Sequence, residues 1–424
     1  MSIPGSTWQD QLAHISKLMR DLSELSDPQE VVKRYGQAMH SVIRRDRLVA
    51  VSRRHEDAPW YRITRSDLWE GDVNPWTSGS SLPRFDRGIL GQLLYAGDAV
   101  IQSPIQIEPD DPAAEYFAGM QSLMTIPVWD DGKAINMVVF CRDEPHAYES
   151  THLPEAVWTA NLFGRSTKNL VLSQQLDAAY AQLDEELKIV ADIQRSLLPS
   201  VLPDIDGLDL AAYYRTSQYA GGDYYDFFPL AGGKWGLLVA DVCGHGTPAA
   251  VLMAITHSLA HTWPTQETCP GGLLSYVNRH LAERYIDRGT FVTAFFGVFD
   301  PATRQLTYSS AGHNPPRIKR CSDGSLFELD AARDIPLGIL PDTSYGMSTI
   351  TLERGDQMIL YTDGITEARG TDGTLFGIDR LDHVLENCSI NAQGLIDAML
   401  GAVEVFTGDA PPDDDRTMVV ARVT

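Results

Sequence analysis

Apolar residues near the start of the chain recur at helical spacing. In SDPQEVVKRYGQAMHSVI, Val31, Val32, Tyr35, Met39 and Val42 fall on one face, Asp27 stands as an N-cap and Pro28 as the first helical residue, which predicts a helix. LVAV, residues 48–51, reads as a strand. SLMTIPVWDDGKAINMVVF reads as two strands around Asp131-Gly132, a hairpin in which Pro127 is expected to push its strand toward an edge or a bulge. Further on, Leu176, Leu183, Val190 and Leu197 repeat at heptad spacing. Leu172, Ala179 and Ile193 form a second seam that Glu186 breaks. This predicts a short parallel coiled coil ended by Pro199; the alternative is a helix packed on its own domain.

Beyond about residue 205 the pattern changes to short strands with dense apolar runs. GKWGLLVAD, FVTAFFGVFD and DQMILYTD carry too few polar positions for a solvated face, so they are expected to be covered on both faces. Helical patterns lie at 247–263, 271–286 and 391–405. Antiparallel sheets with helices on their outer faces fit this order, an α/β class of the α+β kind. A chain of 424 residues exceeds one ordinary core. Three segments are expected: 1–165, a helical linker at 166–199, and 200–424.

A formal charge of −23 and a pI near 4.7, with no basic stripe, argue against nucleic acid and anionic membrane as partners. The chain has no run of about 18 apolar residues. Its start lacks the features of a signal peptide, so a cytoplasmic address is expected. The cysteines at 141, 243, 269, 321 and 388 are odd in number and form no Cys-x-x-Cys pair; reduced thiols are expected.

Chemistry gathers at the strand ends. Asp223 lies in GGDYYDF, Asp241 ends WGLLVAD, Asp363 ends MILYTD and Asp414 precedes the last strand in DDDRTMVV. One such aspartate is ordinarily a turn residue, but several beside glycines can converge. Carboxylates without thiolates or paired histidines select hard ions, Mg²⁺ or Mn²⁺, over zinc. Two such ions lower the pKa of a shared water and clamp a phosphoryl group for in-line attack. No protein nucleophile is then needed, and Cys243 in ADVCGHG is dispensable as one.

GGDYYDF, ADVCGHG, SSAGHNPP, PLGI, YTDGITEA and DDRTMVV, in that order, resemble the bacterial PPM-type serine/threonine phosphatases of the sporulation and sigma-factor stress-regulator branch. The resemblance spans the third segment. It implies an αββα sandwich, a binuclear Mn²⁺ or Mg²⁺ site, and a substrate that is a phosphorylated STAS-domain anti-anti-sigma-like protein. It makes Asp241 the ligand bridging both ions, with the Val242 carbonyl beside it, Asp363 and Asp414 ligands of one ion, and Asp223 a ligand of the second ion or of its water. Gly364 is expected to set the turn that presents Asp363. The first segment resembles a GAF domain in the order of its elements: two opening helices, a central sheet, a Gly-Ile-Leu-Gly helix start and a closing hairpin. That resemblance implies a sensor and a homodimer through this domain and the linker; the Asn-Lys-x-Asp signature of cyclic-nucleotide binders is missing, and no ligand is assigned.

The sequence departs from the wider family at Cys243, where eukaryotic relatives carry histidine, and His245 is read as a loop-holding residue. Arg215 is a weak match for a phosphate-binding arginine. His313 and Asn314 are read as turn residues beside the site, Met253 and His257 as packing residues, and Asp226 and Asp415 as acids of open role. GGDYYDFF also resembles the Gly-Gly-Asp-Glu-Phe signature of diguanylate cyclases, but the upstream acid that such a site needs falls in the coiled-coil stretch. A catalytically silent partner-binding regulator would be favoured by loss of a ligand acid; all four are present.

Overall fold

Asp27 caps helix α2 (Pro28–Val42), its carboxylate accepting the Gln29 amide at 3.0 Å, with proline at the first helical position as its pattern predicts. The computed structural model describes residues 8–70, 73–76, 81–264, 267–285, 289–408 and 410–424. The side chain of Val42, named above, lies outside what is described. Contacts divide the chain into two units, 1–180 and 181–424.

In the first unit, α1 (Trp8–Ser23) and α2 precede β1 (Arg47–Ser52) and β2 (Tyr61–Ser66). Then follow β3 (Arg84–Phe85), α3 (Ile89–Ala96), β4 (Ile101–Gln102), β5 (Ser122–Asp130) and β6 (Lys133–Arg142). The strands form one antiparallel sheet, ordered β3-β2-β1-β6-β5-β4. Alternation splits its side chains between two cores. Val49, Val51, Met137 and Val139 pack with Leu90 and Leu94 of α3, while Met124, Ile126 and Phe140 pack with Met39 of α2 and Ala160. Pro127 costs the sheet nothing, because β4 reaches only Leu123 and Met124 of its strand. The register then shifts between Val128 and Trp129. Helix α4 runs unbroken from Leu153 to Arg195, 43 residues, or about 64 Å at ~1.5 Å per residue.

The second unit stacks two sheets. One, ordered β14-β11-β10-β9-β8, is built from β8 (Tyr224–Pro229), β9 (Trp235–Val242), β10 (Val292–Asp300), β11 (Gln305–Ala311) and β14 (Arg333–Asp334), with β15 (Ser348–Thr351) also on β11. The other, ordered β13-β12-β16-β17-β7, is built from β7 (Leu208–Arg215), β12 (Arg317–Lys319), β13 (Leu326–Glu328), β16 (Gln357–Tyr361) and β17 (Arg416–Val423). Leu360, Val419 and Ala421 face the first sheet, and Ile359, Tyr361, Met418 and Val420 face outward onto α8 (Gly377–Leu385) and α9 (Ala392–Thr407). Helices α5 (Thr247–Thr262) and α6 (Pro270–Arg284) cover the outer face of the first sheet. This is the αββα sandwich, and the dense apolar runs are buried on both faces because each sheet is covered twice.

One expectation is corrected. Cys321, in the turn after β12, and Cys388, in the loop after α8, form a disulfide across 67 residues of sequence. An odd cysteine count with no close spacing carried no trace of the pairing, because the sandwich, not the local chain, brings these two loops together. Cys141, Cys243 and Cys269 are free thiols.

Candidate metal centre

Both sheets send strand ends to one edge of the sandwich. Asp223 stands just ahead of β8, Asp241 near the end of β9, Asp363 after β16 as the first residue of the short helix α7 (Asp363–Thr366), and Asp414 just ahead of β17. Asp223 is 1% exposed and faces inward. Its Oδ2 accepts the Thr362 hydroxyl at 2.7 Å and the Thr417 hydroxyl at 2.5 Å, and the charge of Asp241 acts on its carboxyl. The Thr417 amide donates to the Thr362 hydroxyl at 3.0 Å, so β16 and β17 jointly fix this acid.

The four acids act on one another electrostatically. Burial, then the charges of Asp363, Asp414 and Asp415, push Asp241 up to about 7. Burial and Asp414 push Asp363 up to about 6. Burial and the Asp241 charge hold Asp223 well above the ordinary carboxylate range, and burial raises Asp414. Such a cluster is stable in its ionised form only with cations among it. Oxygen donors alone, with the Val242 carbonyl at hand, fit hard divalent ions. An added Cβ at Gly222 would lie 2.7 Å from that carbonyl, so the close approach requires glycine.

A pH dependence follows. Each folded-state pKa lies above the unfolded value of about 4, so the metal-free native state holds more protons than the unfolded chain between the two values. The resulting stability is fully present below about pH 4 and is lost as pH rises through about 7. Chelated protein is expected to lose Tm between about pH 5 and 7.5 relative to an Asp241→Asn variant, and Mg²⁺ to raise Tm more at the upper pH. A thermal-melt series at the two pH values, with and without EDTA, checks it.

Asp415 and Asp226, alike in sequence, have different places. Asp415 Oδ1 accepts the Ser217 amide at 2.8 Å and its hydroxyl at 3.2 Å, and Oδ2 accepts the Gly222 amide at 2.7 Å. It therefore holds the loop that delivers Asp223. Asp226 lies three residues after Asp223, on the opposite face of its sheet, bonded to Tyr224 and His261 under α5. His245 and Cys243 are exposed; His245 Nδ1 pairs with the Gln218 amide at 3.1 Å, a loop contact. His313 is buried with Nδ1 against the Thr293 hydroxyl at 2.9 Å, and burial lowers it to about 4, so it is a neutral tie between its turn and β10. Arg215 ends β7 exposed to solvent. Met253 is buried core, and the His257 ring packs edge-on to Tyr224.

Sequence reasoning missed Thr362, Thr417 and Gln194. Thr362 adjoins Asp363 and Thr417 lies three residues after Asp414, which was the available signal. Gln194, in the last turn of α4, is buried and exchanges two hydrogen bonds with the backbone of Gly221: its Oε1 accepts the amide at 3.0 Å and its Nε2 donates to the carbonyl. Nothing in its heptad setting marks it.

The sandwich and the carboxylate cluster at its edge define a metal-dependent phosphatase of the PP2C type. The family described as "Stage II sporulation protein E (SpoIIE)" matches residues 231–424. The phosphoserine phosphatase RsbU of Bacillus subtilis is 30% identical over 249 residues, 59% of this chain and 73% of that protein. The phosphoserine phosphatase RsbP of the same organism is 26% identical over 185 residues, 43% of this chain and 45% of its own length. The SiaA-PP2C domain of Pseudomonas aeruginosa superposes with a TM-score of 0.50 at 21% identity, over 58% of this chain and 98% of that domain, a likeness of fold. The chain belongs to the RsbU/SpoIIE family of PP2C-type phosphatases, and it is a phosphomonoester hydrolase. Among the described residues no helix is long and apolar enough to cross a membrane.

Proposed function

We propose that the protein hydrolyses phosphoserine or phosphothreonine on a small STAS-domain, anti-anti-sigma-like regulator, using two Mg²⁺ or Mn²⁺ ions held by Asp223, Asp241, the Val242 carbonyl, Asp363 and Asp414. The observation that carries this is the convergence of four carboxylates whose mutual repulsion calls for cations. When bound, the ions activate water and neutralise phosphoryl oxygens. The chain's own part is to position the acids: Thr362 and Thr417 orient Asp223, and Asp415 fixes the loop before it. Cys243 and His245 stand at the exposed rim and have no required chemical step. Divalent-ion-dependent release of phosphate by the full chain from a phosphoserine peptide is the test. Absence of release at every Mn²⁺ and Mg²⁺ concentration would favour a silent, partner-binding role.

The same proposal reads the first unit as a GAF-type sensor and α4 as a dimerising transmitter. In support, that unit has a cavity of 470 Å³ lined by Tyr35, Met39, Arg65, Trp69 and Phe140 among others, a volume suited to a small ligand. Leu172, Leu176, Leu183 and Ile193 stand exposed along α4, an apolar seam that a second copy of the helix would cover. The link from helix to site is Gln194. Gln194→Ala leaves two buried backbone groups of Gly221 unpaired, which costs about 1–3 kcal/mol. The Mn²⁺ concentration for half-maximal activity is expected to rise several-fold, and a metal titration of the variant's activity measures it.

A further inference from the structure

On the opposite face of β8 from Asp223, two histidines and a buried carboxylate converge. His257 and His261 are one helical turn apart on α5, with ring centroids 4.3 Å apart. Asp226 is 7% exposed and is fixed from two sides: the Phe227 amide donates to Oδ1 at 2.7 Å, and the Tyr224 hydroxyl donates to Oδ2 at 2.6 Å. Oδ2 also lies 2.7 Å from His261 Nε2, and one ligand atom from each of the three residues lies within 4.8 Å of the other two. An ordinary ion pair would need only Asp226 and His261. It would not need a second imidazole on the same helix face. We propose that Asp226, His257 and His261 form a binding site for a late first-row divalent ion, zinc by chemical class.

The donor set selects the ion. Two imidazoles and one carboxylate suit Zn²⁺, whereas Mg²⁺ prefers oxygen and water. A tetrahedral ion with bonds of about 2.0–2.2 Å sets its donors about 3.4 Å apart, so binding opens the 2.7 Å His261 hydrogen bond and draws in the remaining donors, which lie within 4.8 Å. Tyr224 and the Phe227 amide supply the outer contacts that orient a ligating carboxylate. His261 is nearly half exposed, which leaves an entry path and a fourth position for water. The site is separate from the four acids, because Asp223 is bonded to Thr362 and Thr417 of the second sheet whereas Asp226 is bonded to His261 of α5 on the outer face. It joins β8, which follows Asp223, to α5, which follows the Asp241 turn, so a bound ion braces two elements that present the catalytic acids.

The test uses the full chain with millimolar Mg²⁺ present to occupy the four-acid site. Zinc binding is measured by competition with a chromophoric chelator, and Co²⁺ serves as a spectroscopic probe for tetrahedral nitrogen–oxygen coordination. One zinc per chain is expected, with a rise in Tm, and Asp241→Asn is expected to retain both. His257→Gln and His261→Ala should each weaken zinc binding at least about tenfold and abolish the tetrahedral Co²⁺ spectrum. His261 is half exposed, so its removal keeps the fold, which circular dichroism checks. Zinc binding by both histidine variants equal to that of the unaltered chain, or loss of zinc in Asp241→Asn alone, would overturn the assignment. So would no zinc binding by the unaltered chain.

Discussion

Asp241→Asn is expected to remain folded and to lose at least about a thousandfold in kcat, roughly 4 kcal/mol of transition-state stabilisation. The reason is its position at the centre of the cluster. Its charge acts on Asp223, and it feels the charges of Asp363, Asp414 and Asp415, so it is the acid linked electrostatically to the other three. An amide keeps the shape but would bring no charge to either of the two proposed ions. Stability moves the other way. In EDTA near neutral pH, Asn removes one of the repelling charges, so the variant melts at or above the temperature of the unaltered protein while gaining less Tm from Mg²⁺. Steady-state kinetics and paired melts measure the two effects, and their opposite signs separate a lost ligand from a damaged fold. Cys243→Ala is the matching control. That thiol is exposed at the rim, and its removal is expected to change kcat less than about twofold.

Much of this architecture is legible in the sequence because its signals are local. The αββα strands announce themselves as apolar runs, and Asp27-Pro28 and the Asp131-Gly132 hairpin are chemistry between neighbours. The four acids could be picked out because each ends or precedes a strand. The roles of Asp226 and Asp415 could not. Three residues along a strand reverse the face, which sends Asp226 away from Asp223, but that inference needs the location of the strand's first residue, and element boundaries are where pattern reading is weakest. Asp415 acts on Ser217 and Gly222 from about two hundred residues away, Gln194 on Gly221 across a helix end, and Cys321 on Cys388 between loops. Such contacts exist only once the sheets are stacked. His257 illustrates the same limit: a packing residue by its spacing, it gains a second meaning only when β8 places Asp226 beneath it.

Gly364→Ala is expected to be the most damaging change outside the proposed ligands themselves. A Cβ at this position would overlap the backbone carbonyl oxygen of Asp415 and sit 2.9 Å from its carbon and 3.3 Å from the carbonyl carbon of Asp414. No flexible side chain is there to yield. Backbone on both sides is tied, with Leu360 and Tyr361 in register with Val419 and Met418 and the Thr362 amide bonded to the Thr417 carbonyl at 3.1 Å. Relief must come from parting the two loops that carry Asp363 and Asp414. The overpacking itself costs about 1–3 kcal/mol. The larger loss is functional, since displacing reacting groups by about 1 Å lowers rate on the order of a hundredfold. Gly373→Ala separates these effects. Gly373 has a φ of +82° and open space around its Cβ position, so alanine there strains the backbone by about 1 kcal/mol without touching the site. Both variants should melt earlier, but only Gly364→Ala should lose activity below its melting range and require more Mn²⁺ for what remains. Equal activity in the two, measured at a temperature where both are folded, would show that the approach of these loops does not set the geometry of the acids.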